Sequence, residues 1–364
     1  MRKLNPPICS LFLTLALTLL VGCQSQSKQT DQTTQTTTSI TLTPPAELNP
    51  ANLVRKIAFG SCAHQKKPEP IFKVIEDNQP DLYIGAGDNV YSSKPEDKPI
   101  SEAYRLQSRV PEYNSLREKV PMLATWDDHD YGLNDGGKEN PEKEVAKNLF
   151  LQHFPNDAKF ISTHQAGVYH SVILGPSHSQ VQVILLDTRS YRDSLEKNPH
   201  PKHPLDIYQP TQDKTKSFLG EEQWKWLEDE LKKTVDLRII VSSVQLIPDD
   251  HSFEKWGLFP HERTRLLNLI QSLKKQNTLV ISGDRHLGEI SQIKLSPKHT
   301  LTEITASGIN RTSTLADEKN RYRLGSNYLK ENFGLIEIDW RSRKLIASLK
   351  NLSNETVQKV EFKF

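Results

Sequence analysis

Four short stretches concentrate the side chains able to do chemistry. They are Gly60-Ser61-Cys62-Ala63-His64, Gly87-Asp88-Asn89-Val90-Tyr91, Trp126-Asp127-Asp128-His129-Asp130 with Asn134-Asp135 behind it, and Ser282-Gly283-Asp284-Arg285-His286. Asp284 and His286 are two apart, so on an extended chain both face one side. Asp88 and Tyr91, three apart across a strand-to-turn transition, can converge. The glycines before Asp88 and Asp284 let the backbone turn tightly and approach a ligand. Carboxylates crowded together out of water repel unless a cation neutralises them, so the set asks for metal. A thiolate, phenolate, carboxylate and imidazole suit a transition ion such as iron or zinc, whereas Asp and Asn oxygens suit Ca²⁺, Mg²⁺ or Mn²⁺. Taken singly, each piece reads as an ordinary turn, a hydrogen-bonded histidine or a buried cysteine. Their combination is the signal.

Each stretch follows an apolar run rich in β-branched residues, and ligand sites of α/β sheets lie at such strand ends. The pattern predicts strands at 54–60, 81–88, 121–127 and 278–283. Helices are expected around 70–78, 101–116 and 142–154, which gives βαβ units and a partly parallel sheet. Further strands are expected at 167–174, 181–187 and 237–245, with helices at 221–233 and 261–275. From residue 289 onward only short strands follow. No internal repeat is present. The expectation is one α/β domain, with 194–217 as a proline-rich surface excursion able to act as a lid.

The order of the motifs resembles the calcineurin-like metallophosphatases, most closely their alkaline phosphatase D-like (PhoD-like) branch. That branch shows Ser-Cys after the first strand, GDxxY after the second, a WDDHE-like run after the third and GDxH near the last helix. Here these are Ser61-Cys62, GDNVY with its Asp88 and Tyr91, WDDHD at 126–130 and GDRH at 283–286, and the likeness runs from about residue 53 to at least 311. The resemblance implies a two-sheet metallophosphatase sandwich flanked by helices (αββα). It also implies a metal-dependent phosphoesterase that hydrolyses phosphomonoesters or phosphodiesters by attack of a metal-activated hydroxide. Carried over by motif, Cys62, Asp88, Tyr91 and His286 would hold Fe³⁺, with Asp88 bridging to a second ion. Asp128 and Asp284 would hold that second ion, Ca²⁺ in the resemblance, with Zn, Mn or Mg as alternatives. Neighbours on a strand point apart, so either Asp127 or Asp128 could face the metals; the motif alignment favours Asp128. His129 stands where relatives have a histidine that touches phosphate or protonates the leaving oxygen. Asn134, Gln245 and Arg285 are candidate substrate contacts, and Arg285 or Arg189 could offset equatorial charge. The chain departs from longer members in its leader, in lacking a separate N-terminal domain and in its short C-terminal end.

The N-terminus sets an expected compartment. Arg2 and Lys3 precede an apolar run from Ile8 to Leu20 that is short for a membrane span, and the run ends in Leu20-Val21-Gly22-Cys23. This resembles a bacterial lipobox, so 1–22 reads as a lipoprotein signal peptide and Cys23 as the lipidated residue. Residues 23–52, rich in Gln, Thr, Ser and Pro, read as a flexible polar tether to a catalytic domain at 53–364. That implies an extracytoplasmic protein anchored by lipid in the bacterial cell envelope. Of three cysteines only Cys62 remains in the folded unit, without a disulfide partner. With 47 basic against 45 acidic residues, the 364-residue chain lacks the excess that non-specific nucleic-acid binding needs, and no nucleic-acid partner is expected. Neither GxSxG nor a P-loop occurs, which removes serine-hydrolase and nucleotide-kinase readings at that level. The expected partner is a small phosphate ester. The alternative is a surface lipoprotein that keeps the fold as a binding module.

Overall fold

The computed structural model describes residues 43–92, 99–203, 206–273, 275, 277–314 and 318–364. The chain divides into two units, Met1–Thr41 and Leu42–Phe364. The leader, Cys23 and the first part of the tether lie outside the described residues. The last part of the stretch read as tether belongs to the second unit. Ala46 N donates to Arg117 O (2.8 Å), Leu48 N donates to Asn156 Oδ1 (3.0 Å), and the Leu48 side chain is buried. That unit therefore starts about ten residues earlier than the composition suggests. Among the described residues no helix is long and apolar enough to cross a membrane.

The first half alternates as the apolar runs require: β1 (Lys56–Gly60), α1 (Ile71–Asp77), β2 (Leu82–Ala86), α2 (Ile100–Gln107), α3 (Pro111–Lys119), β3 (Met122–Thr125), α4 (Asp128–Tyr131) and α5 (Lys143–His153). Then come β4 (His170–Leu174), β5 (Val181–Leu185), the short β6 (Glu196–Lys197) and β7 (Tyr208–Gln209), α6 (Gly220–Lys232), β8 (Leu237–Ser242), α7 (Pro260–Ser272) and β9 (Thr278–Ser282). Strands alone follow: β10 (Gly288–Ser296), β11 (His299–Ala306), β12 (Arg323–Tyr328), β13 (Asn332–Asp339), β14 (Lys344–Asn351) and β15 (Thr356–Lys363). The helix expected over 101–116 is two helices. Proline at 111 lacks the N–H that would continue α2 and holds Val110 extended (ψ 117°), yet fits as the first residue of α3.

The strands form two mixed sheets in the orders β15-β14-β13-β1-β2-β3 and β12-β10-β11-β9-β8-β5-β4. Strands β1, β2 and β3 run parallel, as do β5, β8, β9 and β11. Alternation along each strand separates the layers. Ile57, Phe59, Ile84, Val183, Leu185, Ile239, Val241 and Ile281 meet in one core shared by both sheets. Their neighbours Ile184, Ile240 and Val280 face the opposite way, against Trp224, Leu227 and Leu231 of α6 and Leu266 and Ile270 of α7. Ala58 and Tyr83 of the other sheet pack on Ile71, Phe72 and Ile75 of α1 and on Tyr113 and Leu116 of α3. The 3- and 4-residue spacing of those helical side chains makes each helix a one-sided cover. The result is the αββα sandwich expected. Each fully buried large apolar side chain contributes about 1.5–3 kcal/mol, which makes the strand ends a rigid platform.

Candidate metal centre

The loops after β1, β2, β3 and β9 meet at one end of the sandwich, and close backbone approach is what brings them together. A Cβ on Gly283 would lie 2.5 Å from Ala86 O and 2.6 Å from Ser61 Oγ. One on Gly87 (φ +96°) would lie 2.7 Å from Asp127 Cβ and 2.9 Å from Ser243 Cβ. Only glycine fits at either position. Beyond these turns Cys62, Asp88, Asp284 and His286 all have positive φ, from 49° to 67°.

Cys62 Sγ lies 3.5 Å from Asp88 Oδ2 and 3.1 Å from Ser307 Oγ. Tyr91 Oη donates to Asp88 Oδ2 (2.9 Å) and stands 3.3 Å from His286 Nε2. Ser307 also accepts His286 N at 2.8 Å, so one hydroxyl braces two loops. His129 N donates to Asp88 Oδ1 at 3.3 Å, and its ring lies 4.1 Å from that of Tyr91. Among the described residues three groups offer donor atoms all within 4.8 Å of one another: Cys62, Asp88 and His286; Asp88, Asp128 and His129; and Asp128, Asp135 and Glu254. Asp88 and Asp128 are each shared by two groups. Asp284 joins none of the three, although its charge is felt with those of Asp127, Glu254 and Asp128.

The two neighbours left open by the sequence have different tasks. Asp127 Oδ1 accepts Arg189 Nε (2.8 Å) and Ser243 Oγ (2.6 Å), and both Asp127 and the Arg189 side chain are fully buried. Arg189 also grips Glu254 with Nη1 and Nη2, each at 2.8 Å. Asp128 instead turns into the donor groups, and its Oδ2 accepts Asp135 N at 2.9 Å.

Electrostatics agree with a site built around cations. Burial, then the negative fields of Cys62, Asp128, Asp127 and Asp130, pushes Asp88 well above the usual carboxyl range. Burial likewise raises the Cys62 thiol to about 11 and lowers the His286 imidazole to about 3. Asp128 goes the other way. Burial pushes it up, but His129, Arg189 and the Asp135 N–H outweigh that and leave it lowered. Without a cation, burial thus favours the protonated forms of Asp88, Asp284 and Cys62 and the neutral imidazole of His286, while Asp128 keeps its charge. A thiol, phenol, carboxylate and imidazole around Asp88 fit a transition ion, and the carboxylates around Asp128 fit a hard cation.

Several sequence expectations fall elsewhere. Gln245 is fully buried and turned away, donating to Glu289 Oε1 (2.7 Å) and Thr305 Oγ1 (2.8 Å) while its Oε1 lies 3.0 Å from His251 Nε2. Arg285 pairs with Glu318 and lies over the Phe253 ring, 4.1 Å from its centre. Arg189 is spent on Asp127 and Glu254. Asn134 is exposed, and the next residue, Asp135, enters the cluster in its place. Glu254 and Ser307 were not foreseen. Residue type gives no sign of which buried polar partner a side chain will choose. Arg189, expected to offset charge on the substrate, instead holds Asp127 and Glu254 together.

The fold and this donor set define a metallophosphatase-type centre. Residues 57–348 match the PhoD-like phosphatase family, and the chain belongs to that family. Alkaline phosphatase D of Bacillus subtilis (strain 168) is 24% identical over 294 residues, which cover 70% of this chain and 50% of that protein. The chain thus spans half the length of that relative. A solved structure of PhoD superposes with a TM-score of 0.68 at 19% identity, covering 88% of this chain and 70% of the other. The purple acid phosphatase PPD1 of yellow lupin superposes at 0.59 and 12% identity, covering 87% and 55%. Family membership implies metal ions as cofactors.

Proposed function

We propose that the chain is an exported, metal-dependent phosphoesterase of the alkaline phosphatase D type, acting on a small phosphomonoester or phosphodiester. The observation that carries this is the sharing of Asp88 between the Cys62–His286 group and the Asp128–His129 group. Cys62, Asp88, Tyr91 and His286 would hold iron, and Asp128 with Asp284 would hold calcium, with zinc, manganese or magnesium as substitutes. Bound there, the ions would supply Lewis-acid polarisation of the ester and activation of a water nucleophile. The chain's own contribution is positional. Asp88 sits between both groups, Tyr91 Oη orients its Oδ2, and the His129 N–H orients its Oδ1. The His129 imidazole is the group to hand a proton to the leaving oxygen, and the Arg189–Asp127–Ser243 net fixes the turn that carries it. The signal-like leader supports export to the bacterial envelope with a lipid anchor at Cys23, and the balanced charge supports no nucleic-acid partner.

The test is hydrolysis of p-nitrophenyl phosphate beside bis-p-nitrophenyl phosphate by protein purified without chelator, with Asp88→Asn as control. Turnover lost together with bound metal in the variant is the expected result, and the ratio of the two substrates sets monoester against diester. Turnover retained by Asp88→Asn overturns the assignment. No turnover by the wild type with iron and calcium supplied favours the binding-module alternative. Partition of the wild type, but not Cys23→Ala, into the detergent phase tests the anchor.

A further inference from the structure

Phosphoryl transfer spreads negative charge over the equatorial oxygens, and a preformed cation or N–H donor facing them is worth more than one recruited from solvent. Four arginines surround the centre, and three are committed. Arg189 holds Asp127 and Glu254; Arg192 reaches Glu254 (3.0 Å) and the carbonyls of Asp135 (2.6 Å) and Gly136 (2.7 Å); Arg285 holds Glu318. Arg311 is different. Among the described residues it makes no ion pair and no side-chain hydrogen bond; its guanidinium lies over the Tyr91 ring, with Cζ 4.8 Å from the ring centre. Stacking uses the face of a guanidinium and leaves its five N–H donors, which point outward in its plane, unspent. The ring it covers belongs to the residue whose hydroxyl touches Asp88.

The backbone around Arg311 is fixed to both sides of the centre. Ile309 N donates to Ser61 O (3.1 Å), the Asn310 side chain accepts His64 N (2.7 Å) and donates to His64 O (3.0 Å), and Ser313 N donates to His286 O (2.6 Å). Arg311 is thus strung between the Cys62 loop and the His286 loop. Two exposed lysines, Lys66 and Lys67, lie close enough for their charge to be felt at His64, which stacks on the Tyr91 ring at 4.9 Å. Neither lysine has an ion-pair partner among the described residues. A half-buried cation with idle donors, positioned rigidly beside the donor groups and backed by further positive charge, is a built receptor for an anion.

We propose that Arg311 is a substrate-binding residue that holds non-bridging oxygens of the phosphate being hydrolysed, with Lys66 and Lys67 adding attraction from the rim. This rests on the phosphoesterase reading above, but its first readout does not need turnover. Binding of inorganic phosphate to the metal-loaded full chain is measured by calorimetry for wild type, Arg311→Lys and Arg311→Met, and KM and kcat for p-nitrophenyl phosphate are measured alongside. Charge-assisted hydrogen bonds of this kind correspond to a loss of about 10- to 100-fold when removed. The expected result is phosphate affinity weakened by that factor in Arg311→Met, with KM raised in parallel and metal content unchanged. Arg311→Lys should fall between, because it keeps the charge and loses the planar fork. Salt should weaken phosphate binding in the wild type, and less so in Lys66→Gln/Lys67→Gln. Phosphate affinity in Arg311→Met within twofold of wild type, with metal retained, overturns the proposal, as does a wild type that binds no phosphate. A wild type that binds phosphate through Arg311 but hydrolyses neither ester leaves this assignment standing and removes the phosphoesterase reading instead.

Discussion

Replacing Arg189 by methionine tests how the donor groups are held. Methionine keeps most of the buried volume and removes the guanidinium. Arg189 Nε and both Nη atoms serve Asp127 and Glu254, and no part of the side chain reaches solvent. Its loss leaves two buried carboxyls facing each other beside Asp128. Removing one partner of a buried ion pair typically costs about 3–5 kcal/mol, a large part of the about 5–15 kcal/mol that usually holds a domain folded. With an m-value near the upper end of the usual range, the urea midpoint should fall by roughly 1–2 M. The pH dependence has a definite sign. Burial first, opposed by Arg189, already puts the Asp127 carboxyl at about 7, above the 3.8 of a free carboxyl. An acid whose folded pKa is raised binds more protons folded than unfolded, so stability falls as pH rises through that window. Without the guanidinium the folded pKa climbs further. The variant's deficit must therefore be larger at pH 8.5 than at pH 6. Urea unfolding of metal-free protein at both values is the assay. A deficit under about 1 kcal/mol, or one equal at the two pH values, refutes the reasoning.

Two further perturbations follow from buried partners. Glu69 is 1% exposed, accepts Gln107 Nε2 at 2.7 Å, and burial pushes its carboxyl up to about 8. Stability should therefore decline between about pH 4.5 and 8 on its account. Glu69→Gln should match wild type near pH 4.5 and exceed it at pH 9 by on the order of a few kcal/mol; parallel stability curves would disprove this. Tyr208 Oη donates to Asp135 Oδ2 at 2.5 Å and ties the β6–β7 ribbon to the donor cluster. Tyr208→Phe should speed limited proteolysis within 194–217 about tenfold, as loss of one charge-assisted hydrogen bond allows; an unchanged cleavage rate counts against that tie.

The strands that carry the centre were legible because their residues alternate under strong constraint. Ile57 and Phe59 must face one core while Ala58 faces another, and the turns after β2 and β9 are marked by Gly87 and Gly283, which no other residue can replace. β12 left no such trace. Arg323–Tyr328 pairs only with β10 at a sheet edge and buries none of its residues, so nothing in its pattern is selected by burial. Within the site, the residues adjacent to the turns were found and those arriving from afar were not. Glu254 enters from a loop 126 residues after Asp128, and only the fold brings them together. Asp127 and Asp128 could not be told apart by residue type. What separates them is Arg189, 62 residues away in sequence.

The backbone at the centre carries its own argument about what the site is for. Cys62, Asp88, Asp284 and His286 have φ of 64°, 49°, 67° and 58°. Each is a non-glycine residue in a conformation that costs of order 1–3 kcal/mol unless its surroundings impose it. The surroundings do: Ser61 N donates to Ala306 O (3.1 Å), Ala63 N to Asp88 O (3.0 Å), Gly283 N to Ser243 O (3.0 Å) and Ser307 N to Leu287 O (3.0 Å). A chain that needed only to turn would put glycine at these positions. Here side chains that bring acids out of water sit where the backbone is strained, so both costs fall on the same residues. The metal-free centre should therefore be less stable than a mutated one. Asn tolerates left-handed φ and keeps the acceptor for Tyr91 Oη, so metal-free Asp88→Asn should be at least as stable as metal-free wild type at pH 8. Saturating metal should reverse the order, raising wild type by about 3–4 kcal/mol at 100–1,000 times Kd and the variant by much less. Thermal unfolding of both proteins with and without metal decides it. A metal-free variant clearly less stable than metal-free wild type would mean that Asp88 is a structural carboxylate, and the donor groups would lose the residue they share.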